Sequence, residues 1–328
     1  TYIEAYKIVK EKKNYKDIKM DDDLINKLSN DKSSLYQNLA NSIAPEIFGM
    51  EDIKKALLLL LVGGVDINTS DGMKIRGNMN ILLMGDPGIA KSQLLKYISH
   101  ISPRGVYTTG KGSSGVGLTA AVMKDPVTND LVLEGGALVL ADMGVCCIDE
   151  FDKMTDYDRA NIHEVMEQQT VSIAKAGITT RLNARTSVLA AANPVYGRYN
   201  IDKTPHENIN LPAALLSRFD LIFLLLDEVK PERDLELAKH VVKVHKEKEV
   251  YLKKQKEQKK QIIYDEEFIR KYIAQAKKCN PIIPQDLHTT IVQKYVEKRK
   301  LELQQKEKEK QGYQYITPRS LLAVIRLS

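Results

Sequence analysis

Through its middle the chain alternates short apolar runs with polar, glycine-punctuated segments, and toward its end the pattern becomes wholly helical. Apolar runs of strand length stand at 80–84, 104–108, 144–148, 186–191 and 220–226. Helical segments fall between them at 91–101, 156–168 and 211–217; Leu94, Leu95 and Ile98 illustrate the spacing. Strands alternating with helices predict an α/β fold, a parallel sheet with helices on both faces. Ahead of it, 35–64 carries an amphipathic helical pattern broken at Ala44-Pro45 and Gly49 and closed by Gly63-Gly64. Behind it, four helical stretches are expected at 231–250, 265–278, 284–304 and 318–328. Residues 1–34 are polar and charged and read as a linker.

The first apolar run leads straight into Gly85-Asp-Pro-Gly-Ile-Ala-Lys-Ser92 and then into a helix. Strand, tight turn and helix start, in that order, are the setting of a phosphate-binding loop. Amides at a helix start lack helical partners and sit at the positive end of the dipole, so they receive phosphate. In this pattern Lys91 reaches the β- and γ-phosphates, and the Ser92 hydroxyl ligates Mg²⁺. Ala90 stands where a second glycine is usual, so the turn is expected to form without a left-handed residue there. Some sixty residues on, the apolar run 144–148 ends in Asp149-Glu150. Carboxylates at the end of a buried strand are costly unless something binds them. As chemistry, Asp149 holds the Mg²⁺ water shell and Glu150 polarises an attacking water; as bare structure, the pair caps the next helix.

Gly110-Lys-Gly-Ser-Ser-Gly115 formally matches a dinucleotide fingerprint, but no long helix follows it. Residues 115–140 read instead as a helix interrupted by an inserted loop or hairpin. His163-Glu164 begins like a zinc-protease helix, yet Glu167 occupies the place of the second histidine, and the idea fails. Three cysteines give no disulfide framework, and alternation sends Cys146 and Cys147 to opposite strand faces as small buried groups. With 43% hydrophobic residues in 328, the chain can bury a full core and carry two packed units. The net charge of +6 comes from two Lys/Glu/Gln-rich stretches near 246–260 and 297–311, which read as solvated helices or loops. No apolar run is long enough to span a bilayer, and no membrane partner is expected.

Beyond these features, GDPGIAKS (85–92), EGGALVLAD (134–142), CIDEFDKM (147–154), AAANP (190–194) and LLSRFD (215–220) occur together. In them the chain resembles the ATPase core of the minichromosome maintenance (MCM) family, subunits of the replicative helicase and members of the AAA+ class. The finer strings IAPEIFG (43–49), HEVMEQQT (163–170) and NPVYGRY (193–199) are most similar to that family's seventh subunit type. The resemblance runs from about Tyr36 to Ser328. It implies an AAA+ P-loop core at 35–230 and a small all-helical lid within 231–328, ending inside its last helix. The family's N-terminal oligonucleotide-binding and zinc modules have no counterpart in this sequence.

The resemblance also implies residue roles. ATP·Mg²⁺ is held by Gly88, Ala90, Lys91, Ser92, Asp149 and Asn193, with Glu150 as catalytic carboxylate. Asn193 resembles the sensor residue, although Asn-Pro also favours a plain turn. The base rests against 42–48, where Phe48 replaces a frequent tyrosine and keeps packing without a phenolic hydrogen bond. Arg218 is similar to the arginine finger and Arg319 to the second sensor arginine, both acting in trans on a neighbour's ATP. Lys175, in a hairpin at 168–182, is similar to a channel lysine that contacts DNA phosphates. Expected partners are neighbouring subunits in a hexameric ring, the third and fourth types, with DNA in the channel, in the nucleus. Another ring-forming AAA+ remodeller, or a hydrolysis-poor interaction subunit, would share the loop.

Overall fold

The computed structural model describes residues 35–68, 74–111, 117–124, 131–175, 178–200, 203, 205–209, 211–227, 230–246, 264–307 and 317–327. The linker expected at 1–34 lies outside them, as do most of the charged stretch at 246–260, residues 308–311 of the other, and parts of the 115–140 insert.

In chain order the elements begin with helices α1 (Leu35–Ser42) and α2 (Glu51–Val62) and the short strands β1 (Ile67–Asn68) and β2 (Lys74–Ile75). The central part runs β3 (Ile81–Gly85), α3 (Lys91–Ile101), β4 (Gly105–Thr109), β5 (Ala120–Lys124), β6 (Leu131–Gly135), α4 (Ala137–Leu140) and β7 (Val145–Asp149). A 3₁₀ turn (Phe151–Lys153), α5 (Asp156–Gln168), β8 (Thr170–Lys175), β9 (Ile178–Asn183) and β10 (Ser187–Ala192) follow. After the single turns α6 (Pro205–Asn208) and α7 (Ala213–Leu216) comes β11 (Leu221–Leu225). The end is helical: α8 (Pro231–Lys246), α9 (Glu266–Ala276), α10 (Gln285–Glu307) and α11 (Pro318–Leu327).

Five strands form one parallel sheet in the order β11-β3-β10-β7-β4. Alternation along each strand divides the core in two. Ile81, Leu83, Val145, Cys147, Leu189 and Ala191 face the layer built from α1, α2, α3 and α9. Leu82, Met84, Cys146, Ile148, Val188 and Ala190 face the layer of α4, α5 and the hairpins. Cys146 and Cys147 thus lie on opposite faces, both fully buried, as the alternation requires. The insert after Gly110 is an antiparallel hairpin, β5 with β6, followed by the short α4. A second hairpin, β8 with β9, follows α5. The helix expected at 211–217 shrinks to one turn, because Pro212 sits at its N-cap and the chain must reach β11 five residues beyond α7.

Helix α2 also shapes the loop before it. Lys54 is buried, and its Nζ donates to the carbonyls of Ala44 at 3.1 Å and Ile47 at 2.8 Å. These two bonds hold segment 43–50, in which Ala44 (φ 45°) and Met50 (φ 56°) are both left-handed. Burial pushes the Lys54 ammonium down to about 8 from an ordinary 10.5. A neutral amine still carries two protons to donate, so the loop keeps both bonds. Between these two values the unfolded chain binds the extra proton, so stability rises with pH. The contribution should be complete above about 10.5 and absent below about 8, on the order of 3 kcal/mol in full. Urea midpoints from pH 8 to 10 should climb more in the wild-type chain than in the Lys54→Met variant.

Candidate nucleotide site

The carboxyl ends of β3, β7 and β10 lie side by side, and their polar residues gather beyond them. Ligands of open parallel sheets bind at this edge. The turn from β3 to α3 is shaped by backbone constraints. Gly85 has φ 155°, and a Cβ there would lie 1.9 Å from the carbonyl oxygen of Leu225 on β11, so no other residue fits. Gly88 has φ 89° in open space, so conformation and not crowding selects it.

Ala90 corrects the reading from sequence. It is left-handed, φ 57° and ψ 21°, at the N-cap of α3. The chain must reverse there to aim the first helical amides into the loop, and that geometry overrides the penalty on a Cβ, about 1–2 kcal/mol. No side chain caps α3, so its first-turn amides remain open toward the loop. Lys91 is buried, and its ammonium donates to the carbonyls of Gly85 and Asp86, each at 2.6 Å. Burial lowers its proton affinity, while Asp86, Asp149 and Asp152 nearby raise it. Ser92 is exposed at the helix start. The other end of the loop is tied down by Asp86, whose carboxylate accepts from the amides of Tyr199 (2.8 Å) and Asp227 (3.2 Å).

At the end of β7, Asp149 is buried and Glu150 half-buried. The Asp149 carboxylate accepts from the Glu150 amide at 2.8 Å and from the Tyr107 hydroxyl at 3.1 Å. Glu150 is itself left-handed (φ 50°) and makes no side-chain cap bond, and the next α-helix, α5, is capped by Thr155 and not by the acidic pair. The Glu150 carboxylate instead receives the Lys153 ammonium at 2.7 Å. Asn193 leaves β10 half-buried, and its backbone N–H donates to the Asp152 carboxylate at 3.0 Å. Asp152 thereby fastens the end of β10 to the turn after β7.

Other residues singled out in the sequence lie elsewhere. Phe48 packs against the His240 ring of α8, centroids 5.6 Å apart, while the His240 ring nitrogen meets the Glu46 carbonyl at 3.0 Å. Arg218 and Arg319 converge on Glu167 in the last turn of α5. Lys175 ends β8, paired in register with Ile178; its side chain and the hairpin turn lie outside the described residues. Among the described residues no group of three or more His, Cys, Asp and Glu side chains could hold a metal ion by itself.

Tyr107, Asp152, Lys153 and Glu167 escaped sequence reasoning as site residues. Asp152 and Lys153 lie inside CIDEFDKM, adjacent to assigned residues. Tyr107 gave no comparable signal: it joins the site only because β4 pairs with β7, Thr109 opposite Asp149. Burial and the Asp149 charge push its phenol up to about 12.

A family model described as the MCM P-loop domain matches residues 21–245, and one described as the MCM AAA-lid domain matches 267–328. The DNA replication licensing factor mcm7 of Schizosaccharomyces pombe is 57% identical over 332 residues, covering 100% of this chain and 42% of the relative. The factor MCM7 of Arabidopsis thaliana is 56% identical, covering 100% of this chain and 45% of its own length. That of Xenopus tropicalis is 55% identical, at 100% and 44%. The chain therefore spans less than half the length of these curated relatives.

Two substitutions check the geometry. Ala90→Gly should relieve the left-handed strain and raise unfolding free energy by about 0.5–1 kcal/mol, read from urea denaturation. Tyr107→Phe leaves a buried carboxylate one donor short. It should lower stability by about 1–2 kcal/mol on the same assay.

Proposed function

The chain belongs to the MCM family, and from that premise we propose that it is the ATPase core of a replicative helicase subunit, active at ring interfaces. One observation carries this reading: Lys91, Asp149, Glu150 and Asn193 stand together at the carboxyl edge of one sheet, before an uncapped helix start. The uncapped amides and Lys91 would receive the triphosphate, with Lys91 exchanging two carbonyl partners for phosphate oxygens. The donor set suits magnesium: an exposed hydroxyl at Ser92 and a carboxylate at Asp149 whose two oxygens each hold one donor, leaving lone pairs. The ion would neutralise charge on the β- and γ-phosphates.

Glu150 orients the attacking water and takes its proton; to do so it must leave Lys153, an exposed ion pair that costs little to break. Asn193, its backbone amide tied to Asp152, would offer its side-chain amide to the γ-phosphate. Phe48, against His240, forms an apolar edge for the base. Arg218 and Arg319 serve the neighbour's site, where guanidinium charge stabilises the transferring phosphoryl group. Movement of the two hairpins would then draw DNA through the channel, with Lys175 on its phosphates. The neighbours are the third and fourth subunit types, and the setting is the nucleus.

The isolated chain should bind ATP weakly and hydrolyse it at least about 100-fold slower than the reconstituted ring, since it lacks a neighbour's arginine. Robust turnover by a monomer verified by light scattering would overturn the trans mechanism. In the ring, Lys91→Ala should abolish turnover at this chain's own interface; a full ATPase rate would mark it as an interaction subunit. Lys175→Ala should weaken DNA binding and flatten its salt dependence by about one phosphate contact. Unchanged salt dependence would favour a remodeller of proteins.

A further inference from the structure

Arg218 and Arg319 come from opposite ends of the fold's second half, yet they meet at a single carboxylate. Glu167 Oε2 lies 3.0 Å from Arg218 Nε and 2.8 Å from Arg319 Nη2, which also donates to Oε1 at 3.0 Å. Arg319 Nη1 donates to the Ser217 hydroxyl at 3.1 Å, and Arg218 Nη1 to the Ala214 carbonyl at 2.9 Å. We propose that Glu167 is the positioning residue that holds these two arginines side by side for a phosphate on a neighbouring subunit. This rests on the trans role given to the arginines above.

Three features separate this from an ordinary surface ion pair. First, two guanidiniums at this spacing repel each other, and the carboxylate between them is what lets them share one edge. One negative charge against two positive leaves the cluster net cationic. Arg218 Nη2 keeps no partner among the described residues, so a donor remains for an oxyanion.

Second, the backbones behind both arginines are anchored. Arg326, two helical turns after Arg319 on α11, pairs with Asp220, two residues past Arg218; the Asp220 side chain is almost fully enclosed. Arg326 Nε also donates to the Arg76 carbonyl at 3.0 Å. Arg76 in turn donates to the carbonyls of Met166 and Arg218. The lid helix, the turn bearing Arg218 and the end of α5 are thus one locked unit, and Glu167 acts within a fixed frame. Third, a helix C-terminus carries the negative end of its dipole, which favours cations at that place. The field of the pair extends to His163, one turn earlier on α5, whose proton affinity is lowered by burial and by both arginines.

The test is steady-state ATPase of the ring reconstituted with its neighbours, comparing Glu167→Gln, Arg218→Ala, the double variant and Glu167→Asp. Expected for Glu167→Gln is a kcat about 10- to 100-fold lower with unchanged KM for ATP and unchanged ring assembly by size exclusion. In the Arg218→Ala background, Glu167→Gln should slow the ring by less than it slows the wild-type ring, because part of its effect acts through a guanidinium already removed and only Arg319 is left to release. Glu167→Asp, which keeps the charge on a shorter arm, should recover part of the rate. It is the deciding variant where Glu167→Gln reduces ring yield. A kcat within twofold of wild type in Glu167→Gln and Glu167→Asp rings, with Arg218→Ala strongly impaired, overturns the positioning role alone. Wild-type kcat in Arg218→Ala rings overturns the trans reading beneath it.

Discussion

A parallel sheet buried on both faces leaves charged groups almost nowhere to stand except at the ends of its strands. Within the order β11-β3-β10-β7-β4, the central strands β3, β10 and β7 are buried on both sides, one against the helical layer and the other against the layer of helices and hairpins. Any carboxylate or ammonium that the fold uses must therefore appear after a strand ends, where loops can solvate or pair it. Asp149 at the last position of β7, Asn193 just after β10 and the loop after β3 obey this constraint. Convergence of chemistry is a consequence of where burial stops.

The same edge concentrates backbone strain. Ala90 and Glu150 both take left-handed angles at the residue immediately before the helical turn that follows their strand. Each reversal is sharp because the strand end is locked by its neighbours, so the turn cannot spread over more residues. The fold accepts these penalties because packing of α3 and β7 over-determines the backbone. What results is a helix start with open amides facing a carboxylate held by Tyr107 and the Glu150 amide.

A second polar cluster, around Glu167 and Asp220, follows a different logic. It sits where α5 ends and α11 docks, and every cation in it is an arginine: Arg76, Arg218, Arg319 and Arg326. Guanidinium can bridge several acceptors at fixed angles, so a few residues can bind three segments that are remote in sequence. Asp220 and Glu167 lie in strings that resembled a known family, yet the resemblance assigned them no work. Most of their partners are more than a hundred residues away, 106 between Arg326 and Asp220 and 152 between Arg319 and Glu167, and only Arg218 is nearer to Glu167 along the chain.

Local sequence determined a great deal. Hydrophobic period placed all five sheet strands within about a residue, because alternation and run length are properties of the chain itself. The phosphate loop and the acidic pair were legible for a similar reason: each is a contiguous string at a strand end. Tertiary structure decided the rest. The left-handed turn at Ala90, the hydroxyl of Tyr107 on Asp149 and the meeting of Arg218 with Arg319 at Glu167 depend on which strands neighbour each other and where the lid rests. Those relations are set by the simultaneous burial of surfaces far apart in the chain, and no window of residues contains them.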